Sequence, residues 1–269
     1  MRHALGSLSA LREQIDAIDA ELLALIDRRA ALARDIARAK MSQANGKAQS
    51  LIRPDREALL LRKLLDTPRL AASDTVIVHI WRELIAESLR IQGETEGGLI
   101  IQMIGQAAGA EKPAELMAWV RARFGAAPAL ALRDKPQDII VAARDPRHIG
   151  VISLEPRLGP WWGRLLLESE VRIIGALPEM GYAKPQALAV AAVKPEPTGD
   201  DLTFFVTDWT GSEADLIGRI ADQGLVCEAL SHLQGLRLLA LSGFVQEDDA
   251  RLKDRFGTLS GIVGAAPRL

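Results

Sequence analysis

Residues 8–40 read LSALREQIDAIDAELLALIDRRAALARDIARAK, an unbroken helical pattern that sets the character of the first third of the chain. Leu8, Leu11, Ile15, Ile18, Leu22 and Leu25 recur at alternating spacings of three and four, the seam of a helix that packs along another. Continuing the count reaches Arg29 before Leu32 and Ile36 resume the apolar row. A guanidinium thus stands where packing alone would select leucine, and a charge taken out of water needs a counter-ion. Lys40 follows within about 20° of Arg29 around the helix and roughly 16 Å along it, so both cations face one side. Arg12 lies about 100° around and roughly 25 Å away in the other direction, too far to meet the same small ligand from the same chain. A helix of about 50 Å calls for a partner helix, and any contribution from Arg12 is expected from a second protomer.

Working outward, Asn45-Gly46 marks a loop, and Arg53-Pro54-Asp55 opens a second helix with proline in its first turn, where the missing N–H is harmless. Arg56 and Glu57 follow at once, and Thr67-Pro68 closes the helix. Ser73 or Asp74 can cap a third helix through Trp81, Leu84 and Ile85, with Ser88 and Gln92 as i,i+4 neighbours near its end. Taken singly, Arg12, Lys40, Arg56, Glu57 and Ser88 fit solvated helix positions, and an arginine stem can run along apolar surface. Taken together they outline a site for a buried, charged ligand.

The chain has 269 residues, of which 48% are hydrophobic, enough for two or three domains. Its 33 basic and 35 acidic residues leave a net charge of −2, which gives no field for nucleic acid or an anionic membrane and points to a small-molecule partner. Cys227 is the single cysteine, so no internal disulfide and no cysteine-rich metal site can form. Without an apolar run at its start, and with apolar stretches well short of the roughly 20 residues of a membrane span, the chain reads as cytoplasmic. His3, His79, His148 and His232 lack metal-ligand spacing and the glycines form no phosphate-binding motif, so no metal and no cofactor are expected. Helical composition ends at Gly93 and Gly97-Gly98, βα alternation begins at Leu99, and residues 194–199 form a proline-containing joint. The expected domains are 1–95, 96–195 and 196–269.

The segments Leu11-Arg12-Glu13-Gln14-Ile15-Asp16, Arg29-Ala30-Ala31-Leu32-Ala33, Ala39-Lys40, Arg53-Pro54-Asp55-Arg56-Glu57 and Glu83-Leu84-Ile85-Ala86-Glu87-Ser88 resemble the all-helical class of chorismate mutase, over almost all of residues 8–92. The resemblance implies a three-helix domain in an intertwined homodimer, with paired first helices and each active site completed by the partner's N-terminal arginine. It further implies conversion of chorismate to prephenate in phenylalanine and tyrosine biosynthesis. This pericyclic shift needs neither nucleophile nor proton transfer, only conformational capture and electrostatics. On that pattern Arg12 and Arg29 clamp the substrate carboxylates, and Lys40 and Gln92 stabilise charge on the ether oxygen. Glu57 accepts a hydrogen bond from the ring hydroxyl, Ser88 helps hold a carboxylate, and Arg56 supports the positive field. A neutral amide at Gln92 predicts a flat pH–rate profile around neutrality. The loop at 41–51 is longer than in the shortest family members, and Arg53 stands where some carry aspartate.

The remaining order resembles the bifunctional enzymes that fuse chorismate mutase to prephenate dehydratase and an ACT regulatory domain. Segments 202–207, 212–223, 226–233, 236–245, 248–256 and 262–269 read as βαββαβ, the ACT-like order. By resemblance, Gly211 and the following helix would help bind an aromatic amino acid effector, although Ala229-Leu230-Ser231-His232 departs from the second motif of such domains. The middle segment, 99–193, reads as βα units with a strand at 99–104, a helix at 114–124 and apolar runs at 139–142 and 150–152. It suffices for one dehydratase lobe and lacks a Thr-Arg-Phe triplet, so a reduced α/β segment without dehydratase activity is expected, with Trp161-Trp162 packed in its core. Two alternatives stay open: an isochorismate lyase on the same fold, and a non-catalytic regulatory protein binding aromatic metabolites through its C-terminal half.

Overall fold

Three capped or proline-started helices open the structure, a computed structural model that describes residues 7–43, 51–94, 97–105, 112–168, 170–181, 184–252 and 256–269, without the side chains of 40–43. Helix α1 (Leu8–Gln43) has 36 residues and is about 54 Å long. Helix α2 (Pro54–Leu65) begins with Pro54 and places Asp55 and Glu57 in its first turn, where the helix dipole favours acids. Helix α3 (Asp74–Gly93) is capped by Ser73, whose side chain accepts from the Val76 N–H. Helix α3 packs against both others, burying Ala33 of α1 and Leu61 of α2. The N-terminal half of the α1 seam has no such cover: Ile15 is 57% exposed, Ile18 55% and Leu22 49%.

A parallel βαβαβ unit follows, made of β1 (Ile100–Ile104), α4 (Pro113–Phe124), β2 (Ala129–Arg133), α5 (Pro136–Ala142) and β3 (His148–Ser153). After two short 3-10 helices, Pro156–Leu158 and Trp161–Leu167, come β4 (Arg172–Leu177) and β5 (Ala187–Ala191), paired antiparallel to each other. The chain ends with β6 (Asp201–Thr207), α6 (Glu213–Asp222), β7 (Cys227–Leu233), β8 (Leu236–Ser242) and β9 (Ser260–Pro267). Gln234 and Gly235, both at positive φ, turn β7 into β8 as tight hairpins require.

Among the described residues the strands form one nine-stranded mixed sheet, ordered β2-β1-β3-β5-β4-β9-β6-β8-β7. The second and third modules therefore share a sheet, joined where β4 runs parallel to β9 at Ile173 and Gly264. Gly264 has φ +142, and a Cβ on it would lie 2.3 Å from the Ile173 carbonyl oxygen, so the join requires glycine. One core crosses that join, containing Trp162, Ile173, Phe204 and Leu238, with Trp161 and Trp162 edge to face at 5.9 Å. A smaller core under α6 holds Phe205, Leu216, Ile220 and Phe256.

The helix expected at 248–256 is not formed over its described residues. Asp249 instead accepts from the backbone and guanidinium of Arg251, and the local bonds compete with a helix. These contacts lower the Asp249 pKa to about 2, the Arg251 side chain first among them. Residues 253–255 lie outside the described set, and the observed C-terminal order is βαβββ.

Polar contacts from both α2 and α3 fasten the helical region to the sheet. From α2, Arg62 donates to the Thr198 and Arg268 carbonyls at 2.8 Å each. From α3, Glu83 accepts the Ala126 N–H at 3.0 Å, beside Gly125, where a Cβ would meet Ala86 at 2.5 Å. Among the described residues no helix is long and apolar enough to cross a membrane.

Candidate active site

Helices α1, α2 and α3 enclose a cavity of about 310 Å³. Arg29, Arg56, Glu57, Ser88 and Gln92, five of the residues singled out from the sequence, line it together with Arg53. Leu32, Ile36, Leu51 and Ile85 supply an apolar wall. Cationic and neutral donors on an apolar lining suit a compact organic anion.

Arg29 reaches from α1 to α3, where Nη1 donates to the Leu84 carbonyl at 2.5 Å and to Ser88 Oγ at 2.6 Å. Ser88 in turn donates to the Leu84 carbonyl at 2.8 Å, so the hydroxyl helps fix the guanidinium. No carboxylate forms an ion pair with Arg29 among the described residues, and partial burial lowers its pKa by desolvation. A half-buried cation without a counter-ion has free energy to gain from an incoming anion. Arg56 is exposed at the rim, and Arg53 pairs with Asp55 at 2.8 Å, which holds the Asp55 carboxyl below the usual range.

Glu57 is set deeper and is tied to the sheet. Its Oε2 accepts from Nη1 of Arg82 on α3 and from Nη1 of Arg123 on α4, each at 2.8 Å. Beyond them, Glu179 accepts from Arg82 Nε at 2.9 Å and lies 3.3 Å from Arg123 Nε. Two carboxylates thus face two guanidiniums, and both arginines are almost fully buried, with side chains 2% and 6% exposed. Desolvation and the neighbouring Arg123 lower the Arg82 pKa, whereas at Arg123 desolvation is outweighed by Glu179 and Glu57 and the pKa rises. Among the described residues Oε1 of Glu57 takes no hydrogen bond, which leaves it for a ligand hydroxyl.

Of the other two nominated residues, Arg12 does not line the cavity. Arg12 is exposed on α1, about 25 Å along the helix from Arg29. Lys40 belongs to the last turns of α1, and its side chain lies outside the described set. Arg82, Arg123 and Glu179 were not found from the sequence. Arg82 carried a readable signal, since it interrupts the buried row Val78, Arg82, Ala86 of α3 just as Arg29 interrupts the α1 seam. Glu179 had no comparable signal, because it follows β4 far from the helices in sequence.

Comparison with known proteins bears on the helical region. A protein from Pseudomonas aeruginosa, described as a bifunctional chorismate mutase/prephenate dehydratase, is 34% identical over 86 residues, which are 32% of this chain and 24% of that protein. The chain thus spans about a quarter of the length of that relative. An X-ray structure of prephenate dehydratase from Streptococcus mutans aligns with 63% of this chain and 98% of that chain, at 11% identity and a TM-score of 0.35, too low to establish a common fold. Residues 11–93 match the family model described as Chorismate mutase type II, and the helical region that holds the cavity is a domain of that family.

Proposed function

We propose that the protein is a chorismate mutase, converting chorismate to prephenate in the cavity between α1, α2 and α3. The observation that carries this reading is Arg29, a half-buried cation with no ion-paired carboxylate among the described residues, set in a cavity with Ser88, Glu57 and Gln92. Arg29 and Ser88 would hold one carboxylate of the substrate and Arg12 of a second protomer the other, which forces the enolpyruvyl arm over the ring. As the ether C–O bond breaks, Lys40 and Gln92 would meet the charge growing on oxygen, and Glu57 Oε1 would accept the ring hydroxyl. Arg56 adds to the positive field at the rim. No residue gives up or takes a proton in this scheme.

The dimer is part of the proposal. The uncovered row Leu8, Leu11, Ile15, Ile18, Leu22 and Leu25 supports pairing of two α1 helices, which would carry Arg12 of each chain to the other's cavity. The sheet is read as a dehydratase-like segment without activity, continuous with an ACT-like tail that would take an aromatic amino acid as effector. The β6-α6-β7-β8 order and the lack of a Thr-Arg-Phe triplet support that assignment.

Subunit mixing tests the site and the dimer together. Arg12→Ala and Arg29→Ala homodimers should each be inactive on chorismate. Co-refolded, half of the dimers pair one chain of each kind, and one of their two sites is intact, so about a quarter of wild-type activity should return. No recovery on mixing would refute the shared site.

A further inference from the structure

We propose that Arg123, on the first helix of the sheet region, is a positioning residue for the mutase site, holding Glu57 so that Oε1 faces the cavity. The proposal rests on the chorismate mutase reading and assigns part of that site to residues outside the helical domain. Glu57 sits at the N-terminal turn of α2, and nothing on α2 itself holds its carboxylate. The two groups that do are Arg82 and Arg123, both on Oε2 at 2.8 Å. Arg123 cannot turn away, because its Nε lies 3.3 Å from Glu179 and it is buried over Phe124, with the guanidinium carbon 4.9 Å from the ring centre. Glu179 also accepts from Arg82, so the four groups close a ring of alternating charge in which each side chain fixes its neighbours.

The geometry selects one carboxylate oxygen for structure and leaves the other for substrate. A free glutamate would sample several rotamers and could also turn Oε2 inward; one N–H from each of two rigid guanidiniums, both also held by Glu179, removes that freedom before substrate arrives. Helix α4 is itself held against α3 by the Gly125–Ala86 contact and the Glu83 bond to Ala126, so Arg123 is presented from a fixed base. The sheet region would then be retained, whatever its own activity, because the mutase site is incomplete without it.

The test is a double-mutant cycle in the full-length protein, with kcat and KM for chorismate measured for wild type, Arg123→Met, Glu57→Gln and the pair. Arg123→Met should lower kcat/KM at least tenfold, mainly in kcat. In the Glu57→Gln background the same change should cost less than twofold, since its effect runs through Glu57. Arg123→Lys, which keeps the charge but not the fork, should fold and fall between Met and wild type. If Arg123→Met lowers stability too far to assay, Arg123→Lys and Glu179→Gln carry the same cycle. Equal losses from Arg123→Met in the wild-type and Glu57→Gln backgrounds would show a merely structural residue and overturn the proposal. Wild-type protein with no turnover would overturn the mutase reading and the proposal with it, whereas wild-type turnover unaffected by Arg123→Met would overturn the proposal alone.

Discussion

Replacing Arg29 by methionine separates a ligand-binding charge from a structural one. The two side chains have similar length and helix propensity, so α1 should persist. The folded protein loses the two hydrogen bonds from Nη1 to Leu84 and Ser88, worth about 1 kcal/mol each. Neither acceptor is orphaned, because Ser88 Oγ still donates to the Leu84 carbonyl. Against that loss stands relief of the desolvation that lowers the Arg29 pKa, together with the apolar contact methionine makes beside Leu32 and Ile85. The net change in stability should stay within about 1 kcal/mol, read by chemical denaturation. Catalysis should respond differently. Two charge-assisted hydrogen bonds to a substrate carboxylate contribute about 1.5–3 kcal/mol each, so kcat/KM for chorismate should fall by about 10² to 10⁴. A fall of less than threefold, or a stability loss that tracks the activity loss, would refute the assignment of Arg29 as a carboxylate clamp.

Leu22→Asp, on the uncovered α1 seam, should turn a dimer into a monomer by sedimentation and abolish mutase activity; a persistent dimer would place the interface elsewhere. Gly264→Ala forces a Cβ to 2.3 Å from the Ile173 carbonyl at the join between the half-sheets, and should cost about 3 kcal/mol or more in denaturation experiments. The wild-type kcat should be flat from about pH 6 to 9, whereas Gln92→Glu should be active only where the new carboxyl is protonated, losing activity as pH rises through its pKa. Burial raises the Cys227 thiol to about 11, against an ordinary value of 9.0, so at pH 8 the native thiolate fraction and alkylation rate should be about 100-fold below those of the unfolded chain.

Local signals carried the helical region. Pro54 at the start of α2, the Ser73 cap of α3 and the three-four spacing along α1 act within a few residues, and such rules can be read from one sequence. Arg29 was legible for a related reason, since a charge at a seam position declares itself, whereas Arg56, Glu57, Ser88 and Gln92 were nominated only in combination and by resemblance. The continuous sheet was not. Its decisive contact joins Ile173 to Gly264, distant in sequence, and the proline-containing joint at 194–199 marks only where the chain passes between β5 and β6. The 248–252 stretch has helical composition, but the Asp249–Arg251 bonds and the burial of Phe256 under α6 favour turns. Glu57 could be nominated from its neighbours Arg53 to Arg56, yet its partners Arg82 and Arg123 come from two other parts of the chain and Glu179, which holds them, from a third, and only the tertiary fold assembles them.

The central claim is tested most directly by giving the purified full-length protein chorismate and, in parallel, isochorismate, and identifying the products after removing the protein. The account predicts that chorismate is converted to prephenate, that no phenylpyruvate forms without acid treatment, and that isochorismate is left essentially unchanged. Chorismate that persists at wild-type protein concentrations sufficient to fill the cavity, or preferential release of pyruvate from isochorismate, would contradict it.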